Sequence, residues 1–175
     1  TLTVGELELE AGTNVVRITS DEQEWNLNWF EFVGQEESAD IESGVYEFHN
    51  VETDLLADVD GVSETDGTNL IQWPSNGQQN QRFQVSADGD AYTLTAQHSG
   101  KYLTAKDGNV VQKGSGDAAD SQRWTFESAD SGYVLENVAN GEVMTAESPN
   151  EPKHTTIDTA ADEGKATQKW ELVEV

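Results

Sequence analysis

Cysteine is absent from the 175 residues, which excludes disulfides, thiolate metal sites and a cysteine nucleophile. Basic residues are scarce: 9 Lys and Arg stand against 34 Asp and Glu, a formal charge of −25. Charge of that sign repels phosphates and anionic headgroups, so neither nucleic acid nor a membrane is an expected partner. No apolar run approaches the roughly 18–20 residues that span a bilayer. Helical patterning is missing too, since no segment holds a 3.6-residue apolar period over three turns. The three histidines, His49, His98 and His154, lack metal-ligand spacing, and no G-x-S-x-G motif or EF-hand-like loop accompanies them. A retaining glycosidase needs two carboxylates about 5 Å apart, and among 34 acidic residues no pair stands out. No catalytic residue, metal ligand or cofactor is therefore expected. Thr1 opens the sequence without an initiator Met or a signal-like run, so a piece of a longer chain is expected.

So acidic a chain would repel itself into disorder at low salt, yet the aromatic residues and strand-like patterns argue for a packed fold. The two signals agree if the protein works in molar salt, where the Debye length falls to about 3 Å. A halophilic, secreted, extracellular protein is the expectation.

A threefold repeat is present. Its units run from Tyr46 to Val85, Tyr92 to Phe126 and Tyr133 to Leu172. Each opens on Tyr and alternation and turns through a motif such as "HSGK" or "ANGE". An apolar pair follows: Leu55-Leu56, Tyr102-Leu103 or Val143-Met144. Each unit ends on Q-x-aromatic: "QRF" (Gln81–Phe83), "QRW" (Gln122–Trp124) and "QKW" (Gln168–Trp170). Four short β runs per unit, bounded by Gly, Asn, Asp and Ser, give about twelve strands. No unit can bury its apolar side alone, so three must share a core. Three four-stranded units closing on one another make a β-trefoil, and a three-bladed propeller would have too few blades.

Three units ending in Q-x-aromatic, with "ADVDG", "DGTN" and "QW" in the first, resemble the ricin B-type trefoil lectins, which are also grouped as a family of carbohydrate-binding modules. The opening residues, with an "AGTN" turn and "WNLNWFEF", resemble the C-terminal strands of a family 6-type carbohydrate-binding β-sandwich. The expected fold class is all-β, a β-trefoil of three four-stranded repeats with an N-terminal β-hairpin fragment of a β-sandwich. The expected boundaries are 1–33 for the sandwich fragment, 34–43 for an acidic linker ("GQEESADIES") and 44–175 for the trefoil.

Phe83, Trp124 and Trp170 occupy one position of the repeat and are expected in the core. The Gln two residues before each is expected to bond backbone within its unit. Arg82, Arg123 and Lys169 fall on the opposite strand face, where they can pair with the acidic surface. Trp73 ignores the repeat, because its counterparts are read as Lys113 and Thr159. An aromatic that the core does not require points to a ligand, and a sugar ring packs on an indole face. Asp58 is equally unrequired, with Ala105 and Ala146 read as its counterparts. In the lectins an Asp at this place accepts from two vicinal hydroxyls, an aromatic about fifteen residues on stacks on the ring, and an Asn before the Q-x-W Gln completes the site. Asp58, Trp73 and Asn80 match that pattern, with Asp60 and Gln78 as lesser candidates. Such a site suits a millimolar to high-micromolar affinity, about −4 to −6 kcal/mol. The resemblance to the sandwich family marks Asn26 as a possible secondary sugar contact. The loop after Ala105 is seven residues shorter than its equivalent in the first unit, and Ala146 and Thr159 offer neither carboxylate nor aromatic. One intact site on a monomer is expected. The function expected is non-catalytic binding of a polysaccharide or oligosaccharide, anchoring a secreted polysaccharide-acting protein to its glycan. The alternative is a protein-docking or structural trefoil of a secreted or cell-surface protein.

Overall fold

Alternating apolar residues at Tyr46 and Phe48, Phe83 and Val85, Tyr92 and Leu94, and Trp124 and Phe126 place one face of each long strand toward a shared interior. In the computed structural model, which describes residues 39–115, 120–147 and 154–175, these strands close into a barrel. Twelve strands are present among the described residues: β1 (Gly44–Asn50), β2 (Leu56–Val59), β3 (Leu70–Trp73), β4 (Phe83–Asp88), β5 (Ala91–Ala96), β6 (Tyr102–Lys106), β7 (Asn109–Lys113), β8 (Arg123–Ser128), β9 (Tyr133–Asn137), β10 (Val143–Ala146), β11 (Ile157–Ala160) and β12 (Trp170–Glu174). No α-helix occurs among the described residues.

Six strands pair antiparallel in a ring, β1 to β4, β4 to β5, β5 to β8, β8 to β9, β9 to β12 and β12 back to β1. The hairpins β2–β3, β6–β7 and β10–β11 cap one end. They meet one another through Asn69 with Val111, Ile71 with Thr156, and Asp158 with Asn109. This closed barrel with its capping hairpins is a β-trefoil, and each hairpin leans on the loop of a neighbouring repeat.

Phe83, Trp124 and Trp170 are fully buried. The indole N–H of Trp124 donates to Leu103 O (3.1 Å) and that of Trp170 to Met144 O (3.0 Å). Phe83 has no such donor and stacks on Phe48 with centroids 5.3 Å apart. The three Gln side chains are buried and bond backbone within their units, at Pro74 O, Gly114 O and Ala161 O respectively. On the outer face Arg82 meets Glu47 (3.2 Å), Arg123 meets Asp88, Asp90 and Asp120, and Lys169 meets Asp130 (2.5 Å).

The strand register corrects the expected counterparts of two residues. Val59, Ala105 and Ala146 face Leu70, Val110 and Ile157, so Asp58 corresponds to Thr104 and Thr145 rather than to the two alanines. Trp73 corresponds to Lys113 and Ala160, and Thr159 corresponds to Gln72. The repeat's Gln side chains agree with this register: Gln122 Nε2 donates to Thr104 Oγ1 (3.1 Å) and Gln168 Nε2 to Thr145 Oγ1 (3.3 Å). The one-residue slip has a physical cause. The core position of β2 is Ala57, matching Leu103 and Met144, and two adjacent leucines just before it mimic the apolar pair.

Residues 39–41, at the end of the expected linker, pack on the barrel. Ile41 is buried and its N–H donates to Tyr92 Oη (2.9 Å), while Ala39 N–H donates to Phe126 O (2.6 Å). The expected sandwich fragment at 1–33, including Asn26, lies outside the described residues.

Candidate functional site

The first repeat's cap hairpin carries an open cleft of about 270 Å³. Asp58 and Asn80 lie on its floor, Ile71 and Trp73 along one side, and Asp60, Gly61 and Val62 along another; Asn76, Gln78 and His154 complete it. Asp58, Trp73 and Asn80, separated by up to 22 positions in sequence, are thus brought to one place. Asp58 comes from β2, Trp73 from the facing end of β3, and Asn80 from the 3-10 turn Gln79–Gln81 that enters β4.

The floor is built from the Asp–Asn pair. Asn80 Nδ2 donates to Asp58 Oδ1 (2.7 Å) and to Val59 O (3.0 Å). Both partners are acceptors, which fixes the amide with its nitrogen inward. Asp58 Oδ2 and Asn80 Oδ1 are left buried with no hydrogen-bond partner. The two residues are only 3% and 2% exposed, and unmet acceptors at such burial are uncommon in folded proteins. Burial pushes the Asp58 carboxyl up to about 6, against the Gln81 and Asn80 side chains that lower it, with the Asp60 charge adding to the rise and His154 opposing it. The floor therefore calls for hydrogen-bond donors.

The walls mix aromatic, apolar and polar side chains. Trp73 is partly buried, and the His154 ring stands against it at 84° with centroids 5.4 Å apart. His154 Nε2 is also 3.4 Å from Asp60 Oδ1. Asp60–Val62 form a tight turn in which Gly61 has φ 62° and Val62 φ 55°. Left-handed backbone is common for Gly but an outlier for a β-branched residue. Val62 is 45% exposed, so a strained apolar side chain stands at the lip. Asn76 shapes the far loop by accepting from Gln78 N–H (2.8 Å), and its own N–H donates to Gln81 Oε1 (2.9 Å). The lesser candidates Asp60 and Gln78 both line the cleft.

Sequence reasoning missed Val62 and His154 as cleft residues. The first sits beside a candidate in a D-G turn, which was a usable signal. The second lies in the third repeat's variable loop, and only closure of the trefoil brings it here. Among the described residues no group of three or more His, Asp or Glu is arranged to hold a metal ion.

With this geometry in place, comparison decides the family. The family described as ricin-type beta-trefoil lectin domain-like matches residues 21–116 and 120–175. The chain belongs to that family. Membership points to carbohydrate binding as the activity of the domain. The fold is shared with a designed threefold-symmetric protein, ThreeFoil, at 28% identity and TM-score 0.70, over 75% of this chain and 99% of that one. It is shared with the Macrolepiota procera ricin B-like lectin, solved with lactose, at 17% identity and TM-score 0.63, over 78% and 100%. An exo-beta-1,3-galactanase from Clostridium thermocellum is also similar, at 22% identity and TM-score 0.70 over 77% of this chain, which spans 31% of the galactanase. No curated protein sequence matches the chain.

Proposed function

We propose that the domain binds a glycan, without catalysis, at one site in its first repeat, where Asp58, Asn80 and Trp73 hold a single sugar ring. The carrying observation is the pair of buried, unpartnered acceptors on the cleft floor beside an indole the repeat does not require. Two adjacent hydroxyls supply the donors that Asp58 Oδ2 and Asn80 Oδ1 lack, and the C–H face of the ring packs on Trp73. A charge-assisted bond to a hydroxyl contributes about 1.5–3 kcal/mol at best, and the aromatic contact about 0.5–1.5 kcal/mol beyond its area. A single ring held this way binds in the millimolar to high-micromolar range. The floor offers no free donor, because both amide protons of Asn80 are engaged. A uronate or a sulfated sugar therefore finds only acceptors there, and an uncharged pyranose fits.

The galactanase shows that a fold of this kind occurs within a larger carbohydrate-active chain. We infer the same use here: a secreted protein of a saline environment whose trefoil keeps a separate activity near an insoluble polysaccharide, by raising local concentration. Retention on a panel of chitin, cellulose, xylan and galactan in about 2–3 M KCl, chosen to screen the net charge, tests the reading. Wild type is expected to be retained by one polymer, and Trp73→Ala and Asp58→Ala to be released. Failure of wild type to bind any of them, or equal retention of the variants, refutes the site and favours a protein-docking role for the trefoil.

A further inference from the structure

Nine of the ten residues lining the cleft belong to the first repeat, and the tenth, His154, belongs to the third. The trefoil's closure puts it there. Gln72 N–H donates to Thr155 O (2.8 Å) and His154 N–H donates back to Gln72 O (2.8 Å). The same crossing recurs around the pseudo-threefold axis: Gln112 N–H donates to Thr68 O (2.9 Å) and Thr159 N–H to Gly108 O (2.9 Å). The residue before each accepting carbonyl is left-handed, with φ 86° at Gly67, 51° at Asp107 and 71° at His154. The frame thus requires a left-handed backbone at this position and no particular side chain, since Gly67 serves in one repeat. Glycine is the least strained choice for such a backbone. A histidine stands instead where the third repeat meets the cleft, with its ring at right angles to Trp73 and its Nε2 3.4 Å from Asp60 Oδ1.

We propose that the glycan site is a composite of two repeats, in which His154 of the third repeat is a ligand-contacting wall that sets which pyranose the first repeat accepts. This rests on the glycan-binding reading above. Two rings at right angles make a corner. A pyranose stacked on Trp73 presents one edge of its hydroxyls to the imidazole, so epimers that differ at that edge are discriminated there and not on the floor. Asp60 Oδ1, 3.4 Å from the imidazole Nε2, bears on where that ring stands.

Titration calorimetry in about 2–3 M KCl with methyl β-galactoside, methyl β-glucoside and methyl β-xyloside tests this on the full chain. The variants are His154→Gly, which keeps the left-handed backbone as Gly67 does, His154→Asn, which keeps a polar reach to Asp60 without the aromatic wall, and Asp58→Thr. Loss of an aromatic contact is expected to weaken the preferred glycoside about fivefold in both His154 variants. The ratio of affinities between the glycosides is expected to fall with it. A residue that only braced the loop would shift the unfolding midpoint and leave that ratio unchanged. Wild-type affinity and an unchanged ratio in His154→Gly, with binding lost in Asp58→Thr, overturn this inference and leave the glycan-binding reading standing. A wild-type chain that titrates with none of the three and is retained by no polysaccharide of the panel overturns both.

Discussion

The first repeat and its two siblings share a frame and differ at the positions the frame leaves open. In the second and third, the Q-x-W glutamine donates to a threonine hydroxyl, Thr104 or Thr145, and the network closes within the protein. In the first, Asp58 takes that place with one oxygen unpartnered and its carboxyl pushed up to about 6. Across the hairpin the first repeat has Trp73 where the others have Lys113 and Ala160. Fifteen residues separate Asp58 from Trp73 and nine separate Thr104 from Lys113, so the second repeat has less loop with which to enclose anything. The third repeat does carry a half-buried carboxylate, Asp158, but at the place of Ile71, where it faces Thr145 rather than an aromatic. A repeat protein thus separates structure from function by symmetry: what recurs holds the fold, and what recurs nowhere else is free to do something else.

The largest effect expected is on the shared frame. Trp124→Ala and Trp170→Ala each remove a fully buried indole and its bond to a carbonyl, a loss of about 3–5 kcal/mol. Denaturant unfolding in high salt is expected to show similar losses in both, though neither residue lies near the cleft. Trp73→Ala should invert that pattern, with stability within about 1 kcal/mol of wild type and binding weakened at least tenfold in the polysaccharide assay.

Smaller and more diagnostic is the effect of pH. Burial disfavours the charged form of Asp58, so its contribution to stability is complete below about pH 4 and is lost as pH rises through about 6. An ionised Asp58 is the better acceptor for hydroxyls, so glycan affinity should rise over the window in which that contribution falls. Binding isotherms and thermal unfolding, both followed from about pH 4.5 to 7.5, check the opposition; parallel trends would contradict it. Thr104→Asp tests the same point from the other side. It places a carboxylate beside Gln122 and is expected to lower stability at neutral pH by about 1–3 kcal/mol without creating binding, because Lys113 offers no stacking face. The smallest effect is expected at Asp158, whose carboxyl burial also pushes up. Asp158→Asn should leave glycan binding unchanged and shift the unfolding midpoint slightly upward at neutral pH.

The frame was legible because it is periodic. Three Q-x-aromatic endings, three tyrosine-led alternations and three turn signals gave the strand count and the closure. The distinctness of Asp58, Trp73 and Asn80 was legible as a departure from that period. Register was not, because Leu55 and Leu56 are both apolar while the true core position, Ala57, is small; hydrophobicity could not tell a two-residue pair from its neighbour. The packing of Ile41 was hidden for a related reason, since one apolar residue in an acidic stretch carries no period. His154 was out of reach because its place in the cleft depends on a contact between repeats, which no pattern within one repeat records.

Asp58→Thr puts the residue of the other two repeats into the first, and it separates the two roles most directly. Titration of this variant beside wild type, with the polysaccharide fragment that retention selects, measures the central claim. The account predicts that binding is lost while the variant, freed of a buried carboxylate and still able to accept from Gln81, is about 1–2 kcal/mol more stable at neutral pH, a modest gain because the cleft admits water. Binding at wild-type strength would contradict it, and the first repeat would then be no different in kind from the others.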